Sequence, residues 1–170
     1  EAGFDWLEAG TPLIVSCGLS AIGELAKAFP DYPVLADYKT MDSGWKNVEN
    51  TLAQGGKFMT VCGNAPDETV QSAVARGKET GIGVVVDTIG VKDQAARARQ
   101  CVDWGVDLVY LHYGADQRRA DETQDCSQWF DAVQAAIPGP IGCACFGVDS
   151  GVEAARRGIE NIVVGHPLIS

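Results

Sequence analysis

Residues 36–42 read Ala36-Asp37-Tyr38-Lys39-Thr40-Met41-Asp42, which sets a lysine between two aspartates inside an otherwise apolar stretch. Side chains alternate along an extended strand, so Asp37 and Lys39 fall on the same face. An ion pair kept for structure is one reading. Buried pairs, however, are often no better than well-packed apolar residues, and with Asp42 close by the arrangement favours chemistry. A lysine flanked by carboxylates stays protonated, which suits stabilising a developing enolate oxygen or delivering a proton to it.

Further reactive side chains stand where apolar runs stop. Glu8 follows Trp6-Leu7, Asp87 closes Gly83-Val84-Val85-Val86, and His112 closes Leu108-Val109-Tyr110-Leu111. Histidine exchanges protons readily near neutral pH, so His112 is the candidate acid/base group, with a hydrogen-bonded core histidine as the alternative. The other histidine, His166, also ends a run, just after Gly165, and Gly147 follows the run before it. Glycines at such ends let backbone N–H groups approach an anion, although glycine is also an ordinary turn residue.

These positions need a scaffold that aligns strand ends. Seven short apolar runs, at 6–9, 34–39, 58–62, 83–87, 108–112, 141–145 and 161–164, read as strands. They alternate with amphipathic helices at a repeat of about 25 residues, the rhythm of a parallel βα architecture. One helix is predicted over 21–29, capped by Ser20 with Glu24 near its first turn and stopped by Pro30. Another opens on Asp67 and Glu68, whose charges suit the positive end of the helix dipole, and ends at Gly81. The fold class expected is α/β, a (β/α)8 TIM barrel, in which reactive residues gather at the carboxyl ends of strands. Seven runs are one short of eight, and the reading is a single barrel domain over 1–170 that carries strands two to eight without the first βα unit and the last helix. An open doubly wound sheet is the alternative, weakened because no Gly-x-Gly-x-x-Gly follows any strand.

Composition narrows the function classes. The chain has 170 residues, 46% hydrophobic and 21% charged, with a formal net charge of -10. That charge repels phosphate backbones, so nucleic acid is not an expected partner. No apolar run approaches the roughly 20 residues of a membrane-spanning helix, and the opening EAGFDWLEAG lacks the pattern of a signal peptide. The six cysteines, at 17, 62, 101, 126, 143 and 145, form no CxxC pair and read as buried, reduced thiols of a cytoplasmic protein. Cys143 and Cys145 share a strand face, which leaves a soft-metal site as a minor alternative. Trp104 and Trp129 fall in helical patterns as packing residues, whereas Trp45 follows the Asp42 turn and is a candidate contact between subunits.

The run from Asp37 to Asp42, followed by Ser43-Gly44, resembles the Asp-x-Lys-x-x-Asp signature of the orotidine 5'-monophosphate decarboxylase superfamily. Asp5-Trp6-Leu7-Glu8-Ala9-Gly10-Thr11-Pro12 is similar to a segment of its 3-hexulose-6-phosphate synthase and 3-keto-L-gulonate-6-phosphate decarboxylase branches. The resemblance implies that Glu8 and Asp37 hold Mg²⁺, with Mn²⁺ possible in its place, and that Asp42 serves the site of a neighbouring subunit in a homodimer. It also implies catalytic roles for Lys39, Asp42, Asp87 and His112. Asp87, and His112 in Leu111-His112-Tyr113-Gly114-Ala115-Asp116, resemble the synthase branch, and the arginine that the decarboxylase places just beyond its histidine is missing here.

The activity implied is the joining of formaldehyde to ribulose 5-phosphate, a Mg²⁺-dependent aldehyde-lyase reaction run in reverse. The alternatives are a decarboxylase of the same superfamily and a non-catalytic barrel domain of a longer fused protein. The phosphate-binding end departs from the family pattern: Phe146-Gly147 stands for the usual Gly-Gly, and Gly165-His166 for Gly-Arg.

Overall fold

A computed structural model describes residues 3–165. The chain divides into two compact units, Glu1–Val85 and Val86–Ser170.

In the first unit, strand β1 (Leu7–Ala9) is followed by helices α1 (Thr11–Cys17) and α2 (Ser20–Ala28), then β2 (Val34–Thr40), α3 (Gly44–Ala53), β3 (Phe58–Cys62) and α4 (Asp67–Thr80). β1 pairs with β2 in parallel, Glu8 opposite Leu35 and Ala9 opposite Ala36, and β2 pairs with β3 in parallel from Leu35 opposite Phe58. Strands covered on both faces read as nearly continuous apolar runs, which is why Val34, Ala36, Met59 and Val61 are buried together with Ile22, Val48 and Val70 from the helices. α3 packs closely on α4 because Gly44 has no side chain: a Cβ there would meet the Thr69 carbonyl oxygen at 2.3 Å.

Strand β4 (Gly83–Asp87) spans the division between the units. The second unit continues with α5 (Gln94–Trp104), β5 (Leu108–Leu111), α6 (Ala115–Ala120), a 3-10 turn (Cys126–Trp129), α7 (Phe130–Ala136), β6 (Ile141–Cys145), α8 (Val148–Arg156) and β7 (Asn161–Val164). β5 pairs with β6 and β6 with β7, again in parallel. Phe130, Val109, Leu111, Val133 and Ala98 form its apolar interior.

The strands and alternating helices fall where the apolar rhythm sets them, with ends shifted by one residue at β1, β2 and β5. α4 begins at Asp67 and Glu68 and closes on Gly81 in the left-handed conformation, as its sequence predicts. Three details differ. Ser20 does not cap α2; it lies inside the helix, and its Oγ donates to the Cys17 carbonyl, satisfying an orphan acceptor at the end of α1 instead. Helix α1 itself was not anticipated, since it buries none of its residues and so has no apolar stripe to read. Cys17, at its end, is exposed, whereas the other five cysteines are buried; all six are free thiols. None of the described helices is long and apolar enough to cross a membrane.

Candidate functional site

The site in the first unit is built on an irregularity in β2. Ala36 lies opposite Met59 but Thr40 lies opposite Val61, so four steps along β2 match two along β3. The surplus is taken up around Lys39, whose φ of 49° is left-handed, a conformation a long side chain adopts only when its surroundings hold it there. Regular alternation therefore does not aim Lys39; a bulge does. The result is still the pair expected from the sequence: Lys39 Nζ sits 2.5 Å from Asp37 Oδ2.

Two threonines complete this arrangement. Thr60 Oγ1 donates to Asp37 Oδ1 at 2.8 Å and accepts the Lys39 backbone N–H at 2.9 Å, so one hydroxyl fixes both the carboxylate and the bulged backbone. Thr11 Oγ1 lies 2.8 Å from both the Asp37 carbonyl oxygen and Oδ2, to either of which it donates, and accepts from Lys39 Nζ at 3.3 Å. Asp37 is 5% exposed, and burial alone would raise the pKa of its carboxyl. The Lys39 charge, with the hydrogen bonds from Lys39, Thr11 and Thr60, outweighs that penalty and holds the carboxyl below its ordinary value.

Neither threonine was singled out from the sequence, because a threonine in a strand or at a helix start is ordinary β-branched or capping material. The only signal was position: Thr11 follows the Glu8-Ala9-Gly10 strand end and Thr60 lies at the centre of β3.

Glu8 is exposed on β1, in register two residues before Asp37, and its Oε1 lies 3.8 Å from where a Cβ on Gly10 would stand. Asp42 is not part of the Asp37 cluster. It is exposed, and its Oδ1 accepts the Ser43 backbone N–H at 2.7 Å, in a turn where Ser43 is also left-handed. Met41 and Trp45 beside it are 48% and 49% exposed.

In the second unit the structure joins Asp87 to His112. Asp87 is fully buried; Oδ1 accepts the Ile89 backbone N–H at 2.8 Å, and Oδ2 lies 2.8 Å from His112 Nδ1. An ionised carboxylate only accepts, so this contact places a proton on Nδ1 and leaves Nε2 of the neutral ring as the atom that takes up or gives back a proton. The loop beyond Asp87 is fixed in turn: the Gln94 side-chain amide donates to the Thr88 and Val91 carbonyls, and Thr88 N donates to the Tyr110 carbonyl.

Gly147 stands at the N-cap of α8 with φ 84° and ψ 178°, a combination essentially restricted to glycine. Gly165 is partly exposed with open space around it. His166 lies outside the described residues.

Two acidic oxygen donors, Glu8 and Asp37, belong to the same unit. A carboxylate offers about four lone-pair positions, and those of Asp37 receive Thr60 on Oδ1 and Thr11 and Lys39 on Oδ2, which leaves one on Oδ1. That donor set suits a hard cation such as Mg²⁺, which commonly takes one or two carboxylates and completes its shell with water and substrate oxygens. Among the described residues no group of three or more His, Cys, Asp or Glu side chains is placed to hold a metal ion by itself.

Comparison with known proteins bears on this arrangement. The family model of the orotidine 5'-phosphate decarboxylase / HUMPS family matches residues 1–165. The 3-hexulose-6-phosphate synthase of Mycobacterium gastri is 42% identical over 167 residues, covering 95% of this chain and 77% of that protein. The enzyme of the same name from Bacillus subtilis (strain 168) is 38% identical over 116 residues, covering 68% of this chain and 55% of its own length. Among solved structures, a crystal structure of 3-hexulose-6-phosphate synthase superposes with a TM-score of 0.86 at 35% identity, covering 95% of this chain and 77% of that one. The fold is thus the α/β, TIM-barrel-like fold of that enzyme.

Proposed function

Because the chain belongs to the orotidine 5'-phosphate decarboxylase / HUMPS family, we propose that it joins formaldehyde to ribulose 5-phosphate, reversibly, to give 3-hexulose 6-phosphate. The observation that carries this reading is the Lys39 ammonium held against the buried Asp37 carboxylate on a bulged strand, in a chain 42% identical to a named synthase. A fixed cation at a strand end suits a reaction in which negative charge develops on a substrate oxygen.

The chemistry follows from the groups present. His112 Nε2 takes the proton from C1 of ribulose 5-phosphate, and Asp87, through Nδ1, keeps the ring in the tautomer that allows it. Loss of that proton gives an enediolate, whose oxygen Lys39 stabilises. C1 of the enediolate then attacks the formaldehyde carbon, and the formaldehyde oxygen, left as an alkoxide on the product, takes up the proton that His112 Nε2 carries. Asp87 is on this reading a positioning residue for His112, because no part of it reaches solvent.

Glu8 and Asp37 would hold Mg²⁺, or Mn²⁺ in its place, which when bound polarises the substrate carbonyl as a Lewis acid. Gly147 and Gly165, with His166, would receive the phosphate. Asp42 would act in the site of a second copy in a homodimer, a reading supported by its exposure beside Met41 and Trp45. Free cysteines suit the reducing cytoplasm.

A decarboxylase acting on 3-keto-L-gulonate 6-phosphate is the second reading, and the Tyr113-Gly114-Ala115 that follows His112 in place of an arginine argues against it. The test is to incubate the protein with ribulose 5-phosphate, formaldehyde and Mg²⁺ and follow formaldehyde, with Lys39→Ala alongside. Consumption that needs Mg²⁺ and disappears in the variant supports the synthase. A folded protein that leaves formaldehyde untouched but releases carbon dioxide from the keto-gulonate phosphate overturns it.

A further inference from the structure

Gln94 is 4% exposed at the first position of α5, and the proposed reaction assigns it no part. Its side-chain nitrogen gives one hydrogen to the Thr88 carbonyl at 3.0 Å and the other to the Val91 carbonyl at 2.9 Å. Its side-chain oxygen is buried without a partner among the described residues. A buried acceptor left unmet costs about as much as a hydrogen bond gains, so these contacts together leave little for stability. An apolar side chain of the same length would fill the space without the unmet oxygen. What the amide adds is a fixed position for the backbone it holds.

That backbone is the turn beyond Asp87. Thr88 is wholly buried and tied to β5, its N–H and its hydroxyl both donating to the Tyr110 carbonyl at 2.9 and 3.2 Å. The chain then reverses: the Val91 N–H closes on the Thr88 carbonyl at 3.0 Å, across Gly90, which is left-handed with φ 71°. Gln94 therefore grips both ends of a single turn. The anchor is itself fixed, because Asp93 caps α5 by accepting the Ala96 N–H at 3.0 Å.

Ile89, the second residue of that turn, reaches the reactive pair. Its N–H donates to Asp87 Oδ1 at 2.8 Å, and the other oxygen, Oδ2, lies 2.8 Å from His112 Nδ1. Its side chain packs against Gly114, beyond His112, where a Cβ would stand 3.0 Å from Ile89 Cδ1. The terminal torsion of an aspartate is soft, so the carboxylate plane is set by what engages its oxygens. If the turn shifts, Oδ1 loses this donor, and the plane in which Oδ2 meets the imidazole is no longer fixed.

We propose that Gln94 is a positioning residue for His112, acting through the 88–91 turn and the Asp87 carboxylate. It sets the tautomer and direction of the ring, and so the proton transfer, while substrate binding is left to other residues. Outer partners that orient an imidazole in metal sites commonly matter by about 10-fold to 100-fold, and the same scale is expected here.

The kinetic readout rests on the synthase reading; the spectroscopic one needs only the Asp87–His112 contact. Gln94→Met keeps the length of the side chain and removes both donors. The expected result is a folded protein whose kcat for formaldehyde consumption falls about 10-fold to 100-fold, while KM for ribulose 5-phosphate stays within about twofold. The His112 ring nitrogens, assigned as the signals missing from His112→Asn and recorded above the imidazolium range, should leave the shifts of a fixed Nδ1–H tautomer for those of an exchanging mixture. Gln94→Asn, polar but too short to reach both carbonyls, should behave the same way and serves if the methionine variant does not fold. An unchanged tautomer in either folded variant overturns the proposal, as does a rise in KM with kcat unchanged, which would place the turn in substrate binding. If the wild-type protein consumes no formaldehyde, the synthase reading fails, and the ring shifts still decide whether Gln94 holds the histidine.

Discussion

Thr60 gives its hydroxyl proton to Asp37 at 2.8 Å and receives the backbone N–H of Lys39 at 2.9 Å, so a single side chain in β3 sets the position of both members of the charged pair in β2. Thr60→Val keeps the shape and removes both hydrogen bonds. It leaves a buried carboxylate short of a donor and a bulged N–H unpaired, and it should destabilise the protein by about 1 to 3 kcal/mol. Chemical denaturation of the two proteins side by side measures this; equal stability would mean that the hydroxyl is incidental to the bulge.

The lowered carboxyl of Asp37 ties stability to acid. In the folded protein its pKa lies below the ordinary value of 3.8, so the stabilisation is fully present above that value and is lost as pH falls from there through the lower, folded value. Unfolding measured from about pH 6 down to about pH 2 should show a loss of stability across that window. Asp37→Asn should be less stable at neutral pH, with a flatter acid limb, because the amide has no proton to take up.

Asp87→Asn tests the histidine. If Asp87 holds the proton on His112 Nδ1, ring nitrogen shifts in a labelled wild-type sample should report that tautomer above the imidazolium range. The asparagine can present its NH2 to Nδ1 instead, and the proton then moves to Nε2. Formaldehyde consumption should fall by about 100-fold to 10,000-fold. A merely structural Asp87 would lower thermal stability and leave the tautomer and the pH profile of the remaining activity unchanged.

Gly147→Ala places a Cβ on a backbone with φ 84° and ψ 178°. The substitution should cost about 1 to 3 kcal/mol in thermal stability. If the turn also receives the substrate phosphate, KM for ribulose 5-phosphate should rise more than kcat falls. An unchanged KM in a folded variant would remove Gly147 from the phosphate site.

Much of this was legible in the sequence, because parallel strands covered on both faces carry unbroken apolar runs such as Val84-Val85-Val86, and these mark themselves out from helices. The charged pair was legible for the same reason: Asp37 and Lys39 interrupt such a run. What escaped was everything that depends on hydroxyls and backbone geometry. Thr11 and Thr60 have no spacing that distinguishes a hydrogen-bonding threonine from a packing one, and nothing in Tyr38-Lys39-Thr40 announces a left-handed φ. Ser20 followed by Glu24 imitated a helix start because a serine satisfies a terminal carbonyl as readily as a terminal N–H.

The bulge in β2 inserts two residues, and two is the period after which side chains return to the same face along a strand. An insertion of one would have turned every later residue of β2 inside out; an insertion of two returns Thr40 to the phase that Ala36 began, and both are buried. The strand thereby carries a charged step while the rhythm of its apolar wall continues past it, as a bar of music may hold two extra beats without shifting the accent of the next. The charged step is therefore carried between Ala36 and Thr40 while both flanking residues keep their buried places beside β3.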